Sequence, residues 1–454
     1  MKYLPEKPEF LFLLFAVLFG VVLVFLVPPL GGGDEGFHYH RVASIAYGQM
    51  LNKPVQVPSS IAGFIDTGST FFHAGLQAPF HYTHTEWQKM SAIPLTPATA
   101  TMLTPDYTSI HHPFSYAPQA LIFHICVLLD LPPLFILYAI RLAGLAAGIA
   151  LTFLAIRKMP SHQYALAAIA LLPTITFYRG YLNADAFTNG LAFLFIATVL
   201  YETTQKSILT TRNVLYLAAL AFILAQCKSA YLLLNFLALA IPAARFQSNK
   251  MRCVSLSAII LPGIIASIAW MITIKQTYFT GVQYHTWGGD VNPDQQMAFI
   301  LHHPLSYLII LLKTIFLTPL PLISFVGLFA EVGPGYFLPS PIIFLFMYFI
   351  IGTLTTDKGY VNYGRAARLL SAAIFVGVVG ISLTMLYIQW TGLGAGEIKG
   401  FQGRYLYPLL PLLLIFAVPP EKPLMTFRPS SYVALLAFFG LTVSLWQVYF
   451  NYYT

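Results

Sequence analysis

Apolar runs long enough to cross a bilayer recur along this 454-residue chain from residue 10 to residue 451. A helix of about 17–25 such residues spans the roughly 30 Å hydrocarbon core of a membrane. With 57% of residues hydrophobic and 9% charged, against about 25% charged in a typical soluble chain, no water-facing surface can be assembled. The expected fold class is therefore all-α, a polytopic integral membrane protein whose obligate partner is the lipid bilayer.

The formal net charge of +8 does not point to nucleic acid, because Lys and Arg fall mainly in short loops between apolar runs, where they report orientation. The first run, Phe10 to Leu30, follows Lys2 and Lys7. It is longer than a signal-peptide core of about 7–15 residues and lacks a small-x-small cleavage pattern, so it reads as a retained first span. Cys126, Cys227 and Cys253 are far apart and lie in or beside apolar runs, which suits neither a disulfide framework nor a zinc site.

Basic loops must share one side. The cytoplasmic set is the N-terminus, Arg157-Lys158, Lys206 to Arg212, Arg245 to Arg252, Lys358 to Arg368 and Lys422 to Arg428. A plain hydropathy reading gives about thirteen apolar segments and puts some of these loops on conflicting sides. Two segments are therefore expected to lie at the outer surface: Ser115 to Leu131, introduced by His111-His112-Pro113, and Leu305 to Ala330, introduced by His302-His303-Pro304 and interrupted by Lys313, Pro319 and Pro321. An interfacial position lets Lys313 reach water, whereas a charge inside a span is costly. The remaining eleven spans are 10–30, 134–156, 161–179, 186–202, 213–227, 229–244, 254–273, 337–354, 367–389, 405–419 and 431–451. The expected organisation is one membrane domain, residues 1–454, with a first extracytoplasmic loop at 31–133 and a second large extracytoplasmic segment at 274–336. The N-terminus is then cytoplasmic, and four polar stretches reach the same outer face.

Those stretches hold the candidate chemistry. Behind Gly31-Gly32-Gly33 come Asp34, Glu35, His38, His40 and Arg41. A carboxylate here suits a general base or a ligand of a divalent cation, and equally an ordinary solvated juxtamembrane cluster. Asp185, in Asn183-Ala184-Asp185, suits either a helix N-cap or a catalytic or metal-binding carboxylate. Lys228 sits in a short outer turn against the positive-inside bias, as a phosphate contact or a snorkelling cation. Arg404, in Gln402-Gly403-Arg404-Tyr405, suits bidentate phosphate recognition or an aromatic-belt anchor. Ten of the twelve histidines fall in outer loops (38, 40, 73, 81, 84, 111, 112, 285, 302 and 303). The pairs His38-x-His40 and His81-x-x-His84 have workable ligand spacings, but no cysteine accompanies them, and a histidine-rich surface is the expected reading.

Taken in order, Asp34-Glu35-x-x-His38-x-x-Arg41, His112-Pro113-x-x-Tyr116, Arg141, Asn183-x-Asp185, Lys228-x-x-Tyr231 and Gln402-Gly403-Arg404-Tyr405 resemble a bacterial family of predicted membrane proteins of unknown function that is grouped with the GT-C glycosyltransferases. The resemblance covers roughly residues 10–420. His-His-Pro-Phe-Ser-Tyr departs from the Pro-Pro-aromatic pattern of relatives. The resemblance implies a GT-C-like fold in a bacterial inner membrane, a polyprenyl-phospho-sugar donor and a glycan or lipid acceptor. It implies Asp34 as the catalytic base with Glu35 as its substitute, and Asp34 and Asp185 as holders of a divalent cation, Mg or Mn. Lys228 and Arg404 would hold the donor phosphate, with His38, Arg41, Gln402 and Tyr405 on the substrate. The rival expectation is a transporter or flippase of lipid-linked glycans, which calls for charges near the bilayer midplane and paired broken helices.

Overall fold

The computed structural model describes residues 5–51, 53–77, 81–105, 107–281, 291–332, 337–357, 361–418 and 427–454. Lys2, His285, Lys358 and Lys422, named above, lie outside the described residues, as does the side chain of His73.

Apolar sequence becomes helix here because hydrocarbon offers no partner for backbone N–H and C=O groups. Among the described residues six helices are long and apolar enough to cross a membrane: Pro8–Leu26, Pro133–Lys158, Asp185–Thr204, Asn249–Lys275, Arg365–Gln389 and Pro429–Tyr453. The helix Asp185–Thr204 is buried on nearly every side, packed against Pro133–Lys158 and its other neighbours. Outward faces such as Phe316, Leu317 and Val376 are apolar and exposed, as a lipid-facing surface must be.

The other predicted spans are shorter or broken. The stretch 161–179 is two helices, Gln163–Ala170 and Pro173–Gly180, separated where Pro173 disfavours helix in the residue before it. The stretch after Lys228 is a 3₁₀ helix, Ser229–Ala240. At about 2.0 Å rise per residue it covers roughly 24 Å, nearly the length of a much longer α-helix. Gly403–Leu409 is likewise 3₁₀. The length test, among the described residues, gives six spans, or seven if one bent pair is counted, instead of eleven.

That bent pair is Pro293–His302 and Pro304–Leu317, turned by 107° at the residue preceding Pro304. The expected single interfacial helix Leu305 to Ala330 is also divided, into Pro304–Leu317 and Leu320–Ala330, at Thr318-Pro319. Lys313 is exposed on the surface of the helix Pro304–Leu317. The first of the two segments expected at the surface is a short 3₁₀ turn, Pro113–Tyr116, leading into the helix Ala117–Leu128.

The all-α membrane reading fits, and one small ribbon is added to the helices. The loop 31–133 also contains a two-stranded antiparallel ribbon, Val55–Pro58 with Ala100–Leu103, in which Val55 pairs with Leu103. Four-residue strands are too short to show a period in sequence. The ribbon joins helices Glu35–Ala46, Ser59–Gln77 and His84–Ser91 around a separate apolar core of Tyr39, Phe64, Phe123 and Leu182. The loop is thus a folded layer, tied to the helix bundle by Tyr39 Oη donating to Pro133 O at 3.2 Å.

Contacts sort the chain into two polar ends. At one, Glu202 pairs with Arg245, Ser161 bonds Tyr363 at 3.0 Å, His162 bonds Ala417 O at 3.1 Å and Tyr164 bonds Glu6 O. At the other, Tyr452 bonds Gly31 O at 2.8 Å, Ser115 bonds Cys227 O at 2.8 Å and Lys228 pairs with Asp185.

Candidate functional site

The chain leaves Pro8–Leu26 through a turn of three glycines. Gly32 lies so close to the Tyr181 ring that an added Cβ would sit 2.2 Å from it. Asp34 follows in the left-handed region at φ 61°, an unfavourable conformation that only a well-braced turn maintains. The brace is Glu35. Its fully buried carboxylate accepts from Arg141 Nε at 2.7 Å and Nη2 at 2.6 Å, from Leu182 N at 2.8 Å and from Gly32 N at 3.2 Å. Arg141 in turn donates to the carbonyls of Val24, Val27 and Pro28, binding the end of the first helix. Glu35 is therefore structural, and its expected role as a substitute base is corrected: both its oxygens are engaged away from any open space. Asp34, one residue earlier, points the other way and is 41% exposed.

Asn183 settles what Asp185 does at its helix terminus. Asn183 Oδ1 accepts from Asp185 N at 2.8 Å and Ala186 N at 3.2 Å, so the first two amides of the helix are satisfied by Asn183 from one residue before the N-cap, Ala184, which makes no side-chain bond of its own. The Asp185 carboxylate is left to meet two cations. One oxygen pairs with Lys228 Nζ, and the other lies 3.8 Å from Arg404 Nη1. Arg404 Nη2 is also 3.9 Å from Asp34 Oδ2. The guanidinium lies over Tyr178 at 5.2 Å and Tyr405 at 5.7 Å, and the Lys228 ammonium is 5.5 Å from the Tyr405 ring. Arg404 is held in place by its neighbour: a Cβ on Gly403 would meet Ser324 O at 2.3 Å and Leu328 N at 2.4 Å, so only glycine lets this strand of chain press on the helix Leu320–Ala330.

The histidines are less superficial than expected. His38 is buried, with Nδ1 2.6 Å from Tyr116 Oη; burial outweighs the nearby Asp34 and Asp185 and pushes its pKa down to about 4. His111 is driven well below the usual range by burial and by Lys228, and His112 to about 4 by burial and Arg41. All three imidazoles are therefore neutral at neutral pH. His81, His84, His302 and His303 are exposed, as a histidine-rich surface requires.

Asp34, His38, Asp185, Lys228, Arg404 and Tyr405 all line one cavity of about 270 Å³. Six predicted residues, drawn from four separate stretches of sequence, converge there. Three others do not. Glu35 is turned inward. Arg41 is buried and donates to Met50 O and His111 O, both at 3.1 Å, so it orients the loop instead of a substrate. Gln402 lies outside the lining; its carbonyl closes a turn by accepting from Tyr405 N at 3.1 Å. The lining also includes residues that sequence reasoning missed as site residues: His111, Trp270, Gln389 and Trp390. Trp270 and Trp390 lie at span ends, where aromatic residues are ordinary, so nothing in the sequence marked them.

The expected divalent cation fits this donor set poorly. Both oxygens of Asp185 face fixed positive charges, one of which also faces Asp34. Among the described residues no three His, Cys, Asp or Glu side chains come together as a metal set. What the arrangement does offer is a partly exposed carboxylate opposite two desolvated cations, geometry suited to an anionic ligand.

Fold and site define a polytopic membrane protein with a folded loop closing over a charged cavity at one end of its helix bundle. The chain belongs to the predicted membrane protein family DUF2142, whose family model matches residues 15–413. No curated protein and no solved structure matches it.

Proposed function

We propose that this chain is a GT-C-type glycosyltransferase of a bacterial inner membrane, which transfers sugar from a polyprenyl-phospho-sugar to a glycan or lipid acceptor at the extracytoplasmic face, in envelope glycan synthesis or modification. The observation that carries the reading is the convergence of Asp34, Asp185, Lys228 and Arg404 on one cavity. In the proposed topology the chain crosses the membrane eleven times from a cytoplasmic N-terminus. Supporting this count, segments such as Ser229–Ala240 reach from the Lys228 end to the Arg245 end although they are too short to pass as α-helical spans.

The reaction is a displacement at the anomeric carbon. Asp34, open to the cavity, takes the proton of the acceptor hydroxyl as its oxygen bonds to that carbon. The bond from the anomeric carbon to the phosphate oxygen breaks, and its electron pair leaves with the polyprenyl phosphate. Lys228 and Arg404 meet the charge that develops on the leaving phosphate; fixed cations in a site shielded from water favour that state without reorganising. Asp185 holds both cations in place, and Tyr405 provides an aromatic face beside them.

The test is reconstitution of the purified full chain in vesicles with a panel of polyprenyl-phospho-sugars. Release of polyprenyl phosphate with acceptor-dependent sugar transfer supports the reading. Movement of intact donor between leaflets without cleavage contradicts it and identifies a flippase.

A further inference from the structure

The cations of the cavity already have a tenant. Lys228 and Arg404 both face Asp185, and Arg404 also approaches Asp34, so both cations are already engaged by carboxylate in the ligand-free site. An anion that binds the cations does so in the presence of a carboxylate that cannot leave. Asp185 is fixed at the head of the helix Asp185–Thr204, its backbone N–H donating to Asn183 Oδ1, and is almost inaccessible to solvent. The number of negative charges on a ligand therefore decides how well it is held.

We infer that Asp185 is the residue that makes the site discriminate between a phosphodiester and a phosphomonoester, holding the former and expelling the latter. The inference rests on the transferase reading and assigns a step within it. The donor is a phosphodiester with one negative charge. The product is a phosphomonoester, whose second ionisation near pH 6 gives it almost two at neutral pH. During transfer the proton removed from the acceptor resides on Asp34, so the total charge in the cavity is unchanged and the product is still accommodated. When Asp34 gives that proton to water, the product faces two ionised carboxylates and one negative charge too many. Expulsion follows from proton loss, and the same step restores the base for the next turnover. Lys228 and Arg404 then return to Asp185.

The experiment measures dissociation constants of farnesyl phosphate and of farnesyl methyl phosphate for the full chain in detergent micelles at neutral pH. Wild type, Asp185→Asn and Lys228→Ala are compared, with Asp185→Ser as a second neutral variant should Asp185→Asn fail to fold. The expected result is that wild type binds the diester more tightly than the monoester, and that neutralising Asp185 tightens the monoester at least tenfold more than the diester. Equal changes for both ligands, or a weaker monoester, with Lys228→Ala still losing both, overturn the role of Asp185 while leaving the phosphate site standing. Failure of wild type to bind either ligand, or no loss in Lys228→Ala, overturns the transferase reading and the inference with it.

Discussion

Replacing Glu35 with glutamine keeps the shape of the side chain, removes its charge and turns one acceptor oxygen into a donor. In the wild type that carboxylate accepts four hydrogen bonds, two from the Arg141 guanidinium and one each from Leu182 N and Gly32 N. Both charged side chains are fully buried, so a glutamine leaves Arg141 as a cation compensated only by three carbonyl dipoles, with an amide N–H facing its donors. Breaking one side of a buried pair costs about 3–5 kcal/mol, a large share of a total stability of about 5–15 kcal/mol. The loss should also release the turn that holds Asp34 in the left-handed region, so activity falls with stability. The assay is denaturant unfolding of the full chain in mixed micelles, for Glu35→Gln, Arg141→Met and the double variant. The predicted coupling energy between the two sites exceeds about 2 kcal/mol, because removing the second partner removes the uncompensated charge. Glu35→Gln within about 0.5 kcal/mol of wild type, the range of an ordinary surface substitution, would refute the account of Glu35 as the brace.

The neutral buried histidines make the fold acid-sensitive. The unfolded chain takes up protons near pH 6.5 while folded His38 and His112 resist down to about 4, so stability is constant above that window and is lost as pH falls through it, by about 3 kcal/mol at most for His38; unfolding midpoints against pH should show the slope, reduced in His38→Gln. Gly403→Ala forces a methyl group onto the backbone of Ser324 and Leu328, and a loss of about 1–3 kcal/mol is expected for such overpacking, with weakened donor binding because Arg404 shifts. Sugar transfer should survive exhaustive treatment with a chelator, since Asp185 is paired to cations; restoration of a lost rate by Mg or Mn alone would contradict that pairing.

The membrane class and the positions of the charged residues were legible in the sequence because both follow from the bilayer. Long apolar runs must be helices, and a carboxylate or cation at a span end is conspicuous: Asp34, Asp185, Lys228 and Arg404 stand out for this reason, and all four line the cavity. Which of two adjacent carboxylates faces it was not legible. Asp34 and Glu35 are near-equivalent in composition, and the choice is made by Arg141, 106 residues away in the chain. The same holds for Asn183 and Asp185, either of which suits a helix terminus by propensity; only the structure shows that the Asn183 side chain takes the first amides and leaves the Asp185 carboxylate to the cations. The 3₁₀ stretch Ser229–Ala240 has the same apolar pattern as an α-helical span, so its tighter winding was hidden. The ribbon of Val55–Pro58 and Ala100–Leu103 depends on pairing across the loop, which local pattern does not encode.

The most direct measurement is sugar transfer from polyprenyl-phospho-sugar donors by membranes containing either wild type or Asp34→Asn at matched protein level. Asp34 is partly exposed, and comparing the two proteins at matched level and matched unfolding midpoint makes a loss of activity report chemistry. The account predicts transfer by wild type and a loss of about 10²–10⁴-fold in the variant, the span of a general base; equal product from both would contradict the assignment of Asp34 as the base on which the proposed reaction depends.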